Sequence, residues 1–144
     1  MDTDAIILIA EDDDGHATLI KRNLRKAGLS NEIIHFLNGE EVLDFLLKRG
    51  GGPHRVSGKT YILLLDIRMP KVDGIQVLKE LKGNTELKKL PIIVVTTTDD
   101  PREIENCHEL GCNSYISKPI DYEKFVFAIN QLGVFLKIIQ APSL

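Results

Sequence analysis

The stretch Tyr61-Ile62-Leu63-Leu64-Leu65-Asp66-Ile67-Arg68-Met69-Pro70-Lys71-Val72-Asp73-Gly74 decides the fold of this chain. An apolar run stops on Asp66 and then turns through Met69-Pro70, which puts one carboxylate at the mouth of a buried strand. Uninterrupted apolar strands belong to parallel sheets covered by helices on both faces. Ligands and chemistry in such sheets collect beyond the carboxyl ends of the strands. Asp66 is therefore the first candidate for chemistry.

The same alternation continues on both sides of this stretch. Ala5 to Ala10 reads as a buried strand, followed by the loop Glu11-Asp12-Asp13-Asp14. A helix from about Gly15 to Ala27 carries Ala17, Ile20, Leu24 and Ala27 at helical spacing and closes on Gly28. Glu32 to Phe36 is a short strand, and Asn38-Gly39 opens a helix bearing Val42, Leu43, Phe45, Leu46 and Leu47. Arg49 to Lys59 is rich in turn residues without periodicity and is expected to be an exposed loop. After the Asp66 strand come a helix from Gly74 to about Leu81 and a strand from Pro91 to Thr96. Asp100, with Pro101 next and Glu103 beyond, marks a capped helix start, and that helix is expected to end at Gly111. Asn113 to Ser117 is the last strand, and Tyr122, Phe125, Val126, Ile129, Leu132 and Leu136 form the apolar stripe of a long final helix. Strand then helix, five times, predicts an α/β fold with a doubly wound five-stranded parallel sheet and five helices.

Bulk properties agree with one domain over residues 1–144, with its core at about 5–133. The chain has 144 residues, an ordinary domain length, and its 43% hydrophobic content is enough for a single core. No apolar stretch approaches the ~20 residues that span a bilayer, and the acidic Met1-Asp2-Thr3-Asp4 is not a signal peptide. A cytoplasmic location without membrane partners is expected. The net charge of -3 argues against direct nucleic-acid binding, which needs a basic face. Cys107 and Cys112 match neither a disulfide framework nor a zinc pattern and read as small packing residues.

Four groups sit at strand ends: Glu11-Asp12, Asp66, Thr96 and Lys118-Pro119. In a parallel sheet these ends face the same way, so groups distant in sequence converge. Several carboxylates in one cleft repel each other, and a divalent cation with oxygen ligands relieves the repulsion. Mg²⁺ suits such a set because it keeps waters and takes one or two carboxylates together with phosphate oxygens. A lysine supplies a point charge for a phosphoryl oxygen and a hydroxyl supplies a donor. The set suits phosphoryl transfer, which needs positioning and charge neutralisation, with aspartate able to act as the covalent nucleophile. Asp13 and Asp14 read as solvated or capping residues and Asp73 as a turn former at a helix start. His16, His35, His54 and His108 show no partner spacing, and the lysines at 79, 82, 88 and 89 read as a solvated face.

From about Ala5 to about Gly133 the chain resembles the receiver domain of two-component response regulators. The family pattern is an acidic pair after the first strand, a D-x-x-M-P-x-x-D-G segment, a Ser/Thr after the fourth strand and Lys-Pro after the fifth. Here these are Glu11-Asp12, Asp66 through Gly74, Thr96 and Lys118-Pro119. The resemblance implies that Asp66 accepts a phosphoryl group. It implies that Glu11, Asp12, Asp66 and the backbone carbonyl of Arg68 arrange Mg²⁺, and that Lys118 pairs with a phosphoryl oxygen. Thr96 and the aromatic Tyr115 would form the conformational switch. Thr96 is preferred to its neighbours Thr97 and Thr98 because it directly follows the apolar run. The implied partners are a sensor histidine kinase or a phosphotransfer protein. The implied chemistry is that of a signalling protein rather than an enzyme, at most slow Mg²⁺-dependent autophosphorylation and autodephosphorylation. Lys137 to Leu144 leave no room for an output domain, so a stand-alone regulator acting on a protein partner or in a relay is expected. The Gly/Pro loop from about Gly50 to Lys59 and the apolar end near Val134 are reminiscent of the small receivers paired with bacterial phytochrome-type histidine kinases.

Two other classes share parts of this pattern. A phosphatase of the haloacid dehalogenase type needs a second aspartate two residues past the nucleophile, where Arg68 stands. A flavodoxin-like cofactor binder needs a hydroxyl-rich loop after the first strand, where four acids would repel a phosphate. Two structural expectations complete the reading. The Lys118-Pro119 bond is expected to be cis. Val134, Phe135, Leu136, Ile138 and Ile139 exceed what one helical stripe can bury, so a homodimer that includes the tail is expected. The alternative is that the tail folds back over its own domain and covers the patch.

Overall fold

The computed structural model describes residues 5–97, 100–118, 122–138 and 142–144. The Lys118-Pro119 bond, Ile139 and the side chains of Tyr122 and Ile138 lie outside the described residues, and so does the expected cis geometry. The elements run β1 (Ile6–Ala10), α1 (Asp14–Lys26), β2 (Ile33–Phe36), α2 (Gly39–Leu46), β3 (Tyr61–Leu65), α3 (Gly74–Lys82), β4 (Ile92–Thr96), α4 (Pro101–Glu109), β5 (Ser114–Ser117) and α5 (Tyr122–Ile138). A single 3-10 turn at Leu87–Lys89, not expected from the sequence, joins α3 to β4.

The helices begin where short polar side chains satisfy their free amides. Asp13 accepts from the His16 N–H, Asn38 from Glu41, Asp73 from Gln76 and Asp100 from Arg102. Past the ends of α1 and α4 stand Gly28 and Gly111, at φ +93° and +98°, a left-handed backbone that a side chain resists. The last helix turn before Gly111 ends at Glu109, slightly short of the expected boundary.

All four strand pairings are parallel, in the order β2-β1-β3-β4-β5. The pleat divides the core. Ile6, Leu8 and Ala10 face one layer with Val42, Leu46, Val77, Leu81 and Cys107 from α2, α3 and α4. Ile7 and Ile9 face the other with Ile20 and Leu24 of α1 and Phe125, Ile129, Leu132 and Leu136 of α5. Each such aliphatic side chain contributes about 1.5–3 kcal/mol by leaving water. Alternate residues of one strand serve opposite layers, which is why β1, β3 and β4 read as continuous apolar runs. Gly133 lets α5 approach α1, since a Cβ there would meet the Ala27 side chain at 2.5 Å.

The surface departs from expectation in places. The 49–59 loop is exposed as expected except at Arg55, which pins it. Arg55 is buried, donates from Nε to the Leu46 carbonyl at 2.8 Å and pairs with Glu86 at 2.6 Å. The arginine can be buried because a helix C-terminal carbonyl needs a donor there. Lys82 is not a freely solvated member of its lysine group, for its Nζ donates to the carbonyls of Lys88 and Leu90. The chain's last residues return to the sheet. Ser143 bridges to Thr60, Leu144 N–H donates to Lys59 O at 3.1 Å, and Gly58 N–H donates to Leu144 O at 2.6 Å. Yet Val134 and Phe135 remain 56% and 43% exposed, so this return does not cover the apolar face of α5.

Candidate functional site

The order β2-β1-β3 reverses direction between β1 and β3, which opens a crevice at their C-terminal ends. The register pairs Ala10 with Leu65, so the next residues, Glu11 and Asp66, stand side by side. Asp66 N–H donates to Ala10 O at 3.0 Å and fixes the tip. Beyond it, Gly74 N–H donates to Ile67 O at 2.9 Å. A side chain at Gly74 would collide with the Asp66 carbonyl, so glycine lets α3 start directly against the Asp66 backbone. Lys71 takes φ +66° in the intervening turn.

Glu11, Asp12 and Asp66 each bring a carboxylate oxygen within 4.8 Å of the others. Glu11 and Asp66 are buried and Asp12 is exposed. Lys118 arrives from the end of β5, its amide donating to Thr96 O at 2.6 Å. Its buried ammonium pairs with Glu11 Oε1 and lies 3.6 Å from Asp66 Oδ2. Burial pushes the Glu11 carboxyl up to about 8, and Asp66 adds to the rise while Lys118 opposes it. Glu11 Oε2 and the Thr96 hydroxyl are buried with no hydrogen-bond partner among the described residues.

An orphaned buried carboxylate oxygen beside two further carboxylates fits a divalent cation with oxygen ligands. One lysine does not neutralise three acids. The residues present thus fit a divalent cation, with Glu11, Asp12 and Asp66 as the side chains to hold it.

Glu11, Asp12, Asp66, Thr96 and Lys118 stand at the C-terminal ends of their strands, with Arg68 two residues past Asp66, whereas Tyr115 lies within β5, paired with Val94. Asp13, as expected, caps α1 rather than joining the carboxylates. Tyr115 is half-buried against the α4 side of the core, its ring 6.4 Å from that of His108. Two contributions were missed. His16 Nδ1 lies 3.3 Å from both Glu11 Oε1 and Lys118 Nζ, and its ring packs on Phe125 at 5.8 Å. His35 Nε2 donates to the Glu11 carbonyl at 2.7 Å from the neighbouring β2. The contact between His16 and Lys118 joins α1 to the end of β5, and no local spacing reports it. The Arg68 side chain reaches Glu103 at the start of α4 at 3.2 Å.

Comparison with known proteins follows this geometry. Residues 7–130 match the family described as the response regulator receiver domain. The chain is 34% identical over 128 residues to the probable methanogenesis regulatory protein FilR2 of Methanothrix harundinacea, covering 88% of this chain and 80% of that protein. It is 32% identical over 113 residues to the response regulator Rcp1 of Synechocystis sp., covering 78% of this chain and 76% of that protein. Among solved structures, a response regulator receiver domain from Rhodospirillum rubrum superposes with a TM-score of 0.89 at 45% identity, over 96% of this chain and 97% of that one. The Mn²⁺-bound form of Rcp1 gives a TM-score of 0.85 at 27% identity, over 96% and 99%. The phosphorylated cyanobacterial phytochrome response regulator RcpA gives 0.86 at 27% identity, over 96% and 98%. A metal-bound relative and the acidic cluster of this chain together point to divalent metal binding.

Proposed function

The chain belongs to the response regulator receiver family, and on that premise we propose that Asp66 is a phosphoacceptor serving a sensor histidine kinase or phosphotransfer protein. The observation that carries this reading is the convergence, at the sheet's switch point, of Asp66 with two more acids and a buried lysine 3.6 Å away. In the transfer an Asp66 carboxylate oxygen forms a bond to phosphorus. The bond from phosphorus to the donor's histidine nitrogen breaks, and that nitrogen keeps the electron pair. Lys118 needs only a short shift away from Glu11 to bring its ammonium onto a phosphoryl oxygen. The Thr96 hydroxyl, buried without a partner, gains one by turning to the phosphoryl group. Tyr115, packed near α4, is placed to follow that movement. A Mg²⁺ ion held by Glu11, Asp12, Asp66 and the Arg68 carbonyl would neutralise charge on the transferring group. Turnover is limited to slow autophosphorylation and autodephosphorylation, because Arg68 stands where a phosphatase of related chemistry needs an acid.

The whole of residues 1–144 acts in this reading as one receiver that works on a protein partner or relays its phosphoryl group, in the cytoplasm. No helix among the described residues is long and apolar enough to cross a membrane. Structural likeness to the phytochrome response regulator RcpA favours a phytochrome-type histidine kinase as the donor. The exposed Phe127, Val134 and Phe135 of α5, beside a hollow of about 290 Å³ lined by Ile116, Ala128 and Leu132, favour a homodimer through this face. Light scattering on the intact chain checks the dimer: a monomer at high concentration, with and without a phosphoryl mimic, contradicts it. Phosphotransfer from a labelled sensor kinase tests the main reading. Label is expected on the wild type and absent from Asp66→Asn, and equal labelling of both overturns the assignment.

A further inference from the structure

Arg68 follows the nucleophile closely, and its amide donates to Asp66 Oδ1 at 3.3 Å. Its guanidinium nevertheless points across the mouth of the site. One nitrogen lies 3.2 Å from Glu103 Oε2, in the first turn of α4, while the arginine side chain stays 65% exposed. Glu103 is far less solvated, at 19%, and its Oε1 is buried with no hydrogen-bond partner among the described residues. The pair is therefore unequal. Arginine can leave for water at little cost, whereas Glu103 would be left half-buried with neither oxygen paired to a side chain.

We propose that Arg68 has two positions: it holds Glu103 on α4 while Asp66 is unmodified, and moves to the phosphoryl group once Asp66 carries one, releasing the first turn of α4. The proposal rests on Asp66 being the phosphoacceptor. A phosphoryl group carries more charge than a carboxylate and offers three acceptor oxygens. Arginine pairs with phosphate through two parallel hydrogen bonds. Against that competitor Glu103 offers one contact at 3.2 Å. The nearness of the Arg68 backbone to Asp66 gives its side chain the reach. Once Arg68 turns, the loss of Glu103's partner falls on the helix that carries it. Modification at the sheet tip is thereby converted into a displacement of α4, on a route separate from Thr96 and Tyr115.

The test uses the full chain with Mg²⁺ and acetyl phosphate, reading label by mass spectrometry and amide hydrogen exchange in the α4 segment. In wild type, phosphorylation is expected to speed exchange in that segment. Glu103→Gln should show fast exchange before phosphorylation and acquire label faster by roughly 2- to 5-fold, the range an exposed ion pair is worth. Arg68→Ala should still be labelled at Asp66, more slowly by a similar factor, with no further change in α4. The double variant Arg68→Glu/Glu103→Arg restores the pair but not the affinity for phosphate, so its α4 should stay protected before and after labelling. A purely structural ion pair predicts instead that the swapped variant opens on phosphorylation as the wild type does, and that result overturns the proposal. So does an Arg68→Ala protein whose α4 still responds. If wild type takes no label at Asp66, the phosphoacceptor reading fails first and this proposal with it. If it takes label and α4 exchange is unchanged, only this proposal fails.

Discussion

The two ends of the same five strands are differently finished. At the N-terminal end polar groups have partners. Asn31 Nδ2 donates to Ala5 O at 2.8 Å, and the Ile92 amide donates to Asn113 Oδ1 at 2.8 Å. The Val56 amide finds the Tyr61 hydroxyl at 2.9 Å, Arg55 seals the end of α2, and Leu144 closes on Lys59 and Gly58. At the C-terminal end lie three of the four buried side-chain atoms without a hydrogen-bond partner among the described residues: Glu11 Oε2, Thr96 Oγ1 and Glu103 Oε1. The difference is in satisfaction. Local rules are obeyed where the chain only needs to fold and broken where it needs to bind charge.

Disturbing the satisfied end should therefore reduce stability without touching chemistry, and disturbing the other end should do the reverse. The largest loss is expected from Arg55→Ala, which strips the Leu46 carbonyl of a donor and removes buried packing. About 1–3 kcal/mol is expected by denaturant titration, with labelling at Asp66 unchanged. A loss near zero would break the contrast. Next is the metal. Magnesium at about ten times its Kd should stabilise the wild type by about 1.4 kcal/mol. In Asp12→Ala that gain should largely vanish, while the metal-free protein becomes no less stable, because one of three crowded carboxylates is gone. Undiminished Mg²⁺ stabilisation in the variant would place the metal elsewhere.

Removing residues 142–144 should have a smaller effect, about 1 kcal/mol for the lost backbone pairing. Amide exchange at Gly58 should rise and phosphorylation should be unaffected. Smallest is the response of the thiols. Burial pushes the Cys107 thiol from 9.0 up to about 11, and Cys112 is raised as well. A raised folded value contributes stability that is whole below the unfolded value and is lost as pH rises through the folded one. Stability should thus be indifferent to these thiols up to about pH 9 and fall between there and pH 11. A thiol reagent at pH 8 should react only as fast as the protein opens, and rapid titration of either cysteine would contradict the packing.

Much of this was legible in the sequence, for a physical reason. The rim residues sit where apolar runs stop, and parallel pairing alone carries Glu11, Asp66, Thr96 and Lys118 to one edge. Helix starts were legible because their caps are local: Asp73 and Asp100 serve amides two or three residues on. What could not be read depends on contacts between elements far apart in the chain. His16 meets Lys118, Arg68 meets Glu103, Arg55 meets Glu86 and Leu144 meets Lys59. None of these pairs has a spacing or a period. The 49–59 loop reads as exposed from its turn-rich composition and is so, but the burial of Arg55 within it has no local signal.

The central claim is that the unsatisfied end of the sheet exists to receive a phosphoryl group on Asp66. Intact-mass and peptide-level mass spectrometry after incubation with acetyl phosphate and Mg²⁺ tests it most directly. The account predicts one added phosphoryl group, mapped to the peptide containing Asp66, lost on chelation of the metal and lost in Asp66→Asn. Addition at another residue, or equal addition to Asp66→Asn, would contradict it.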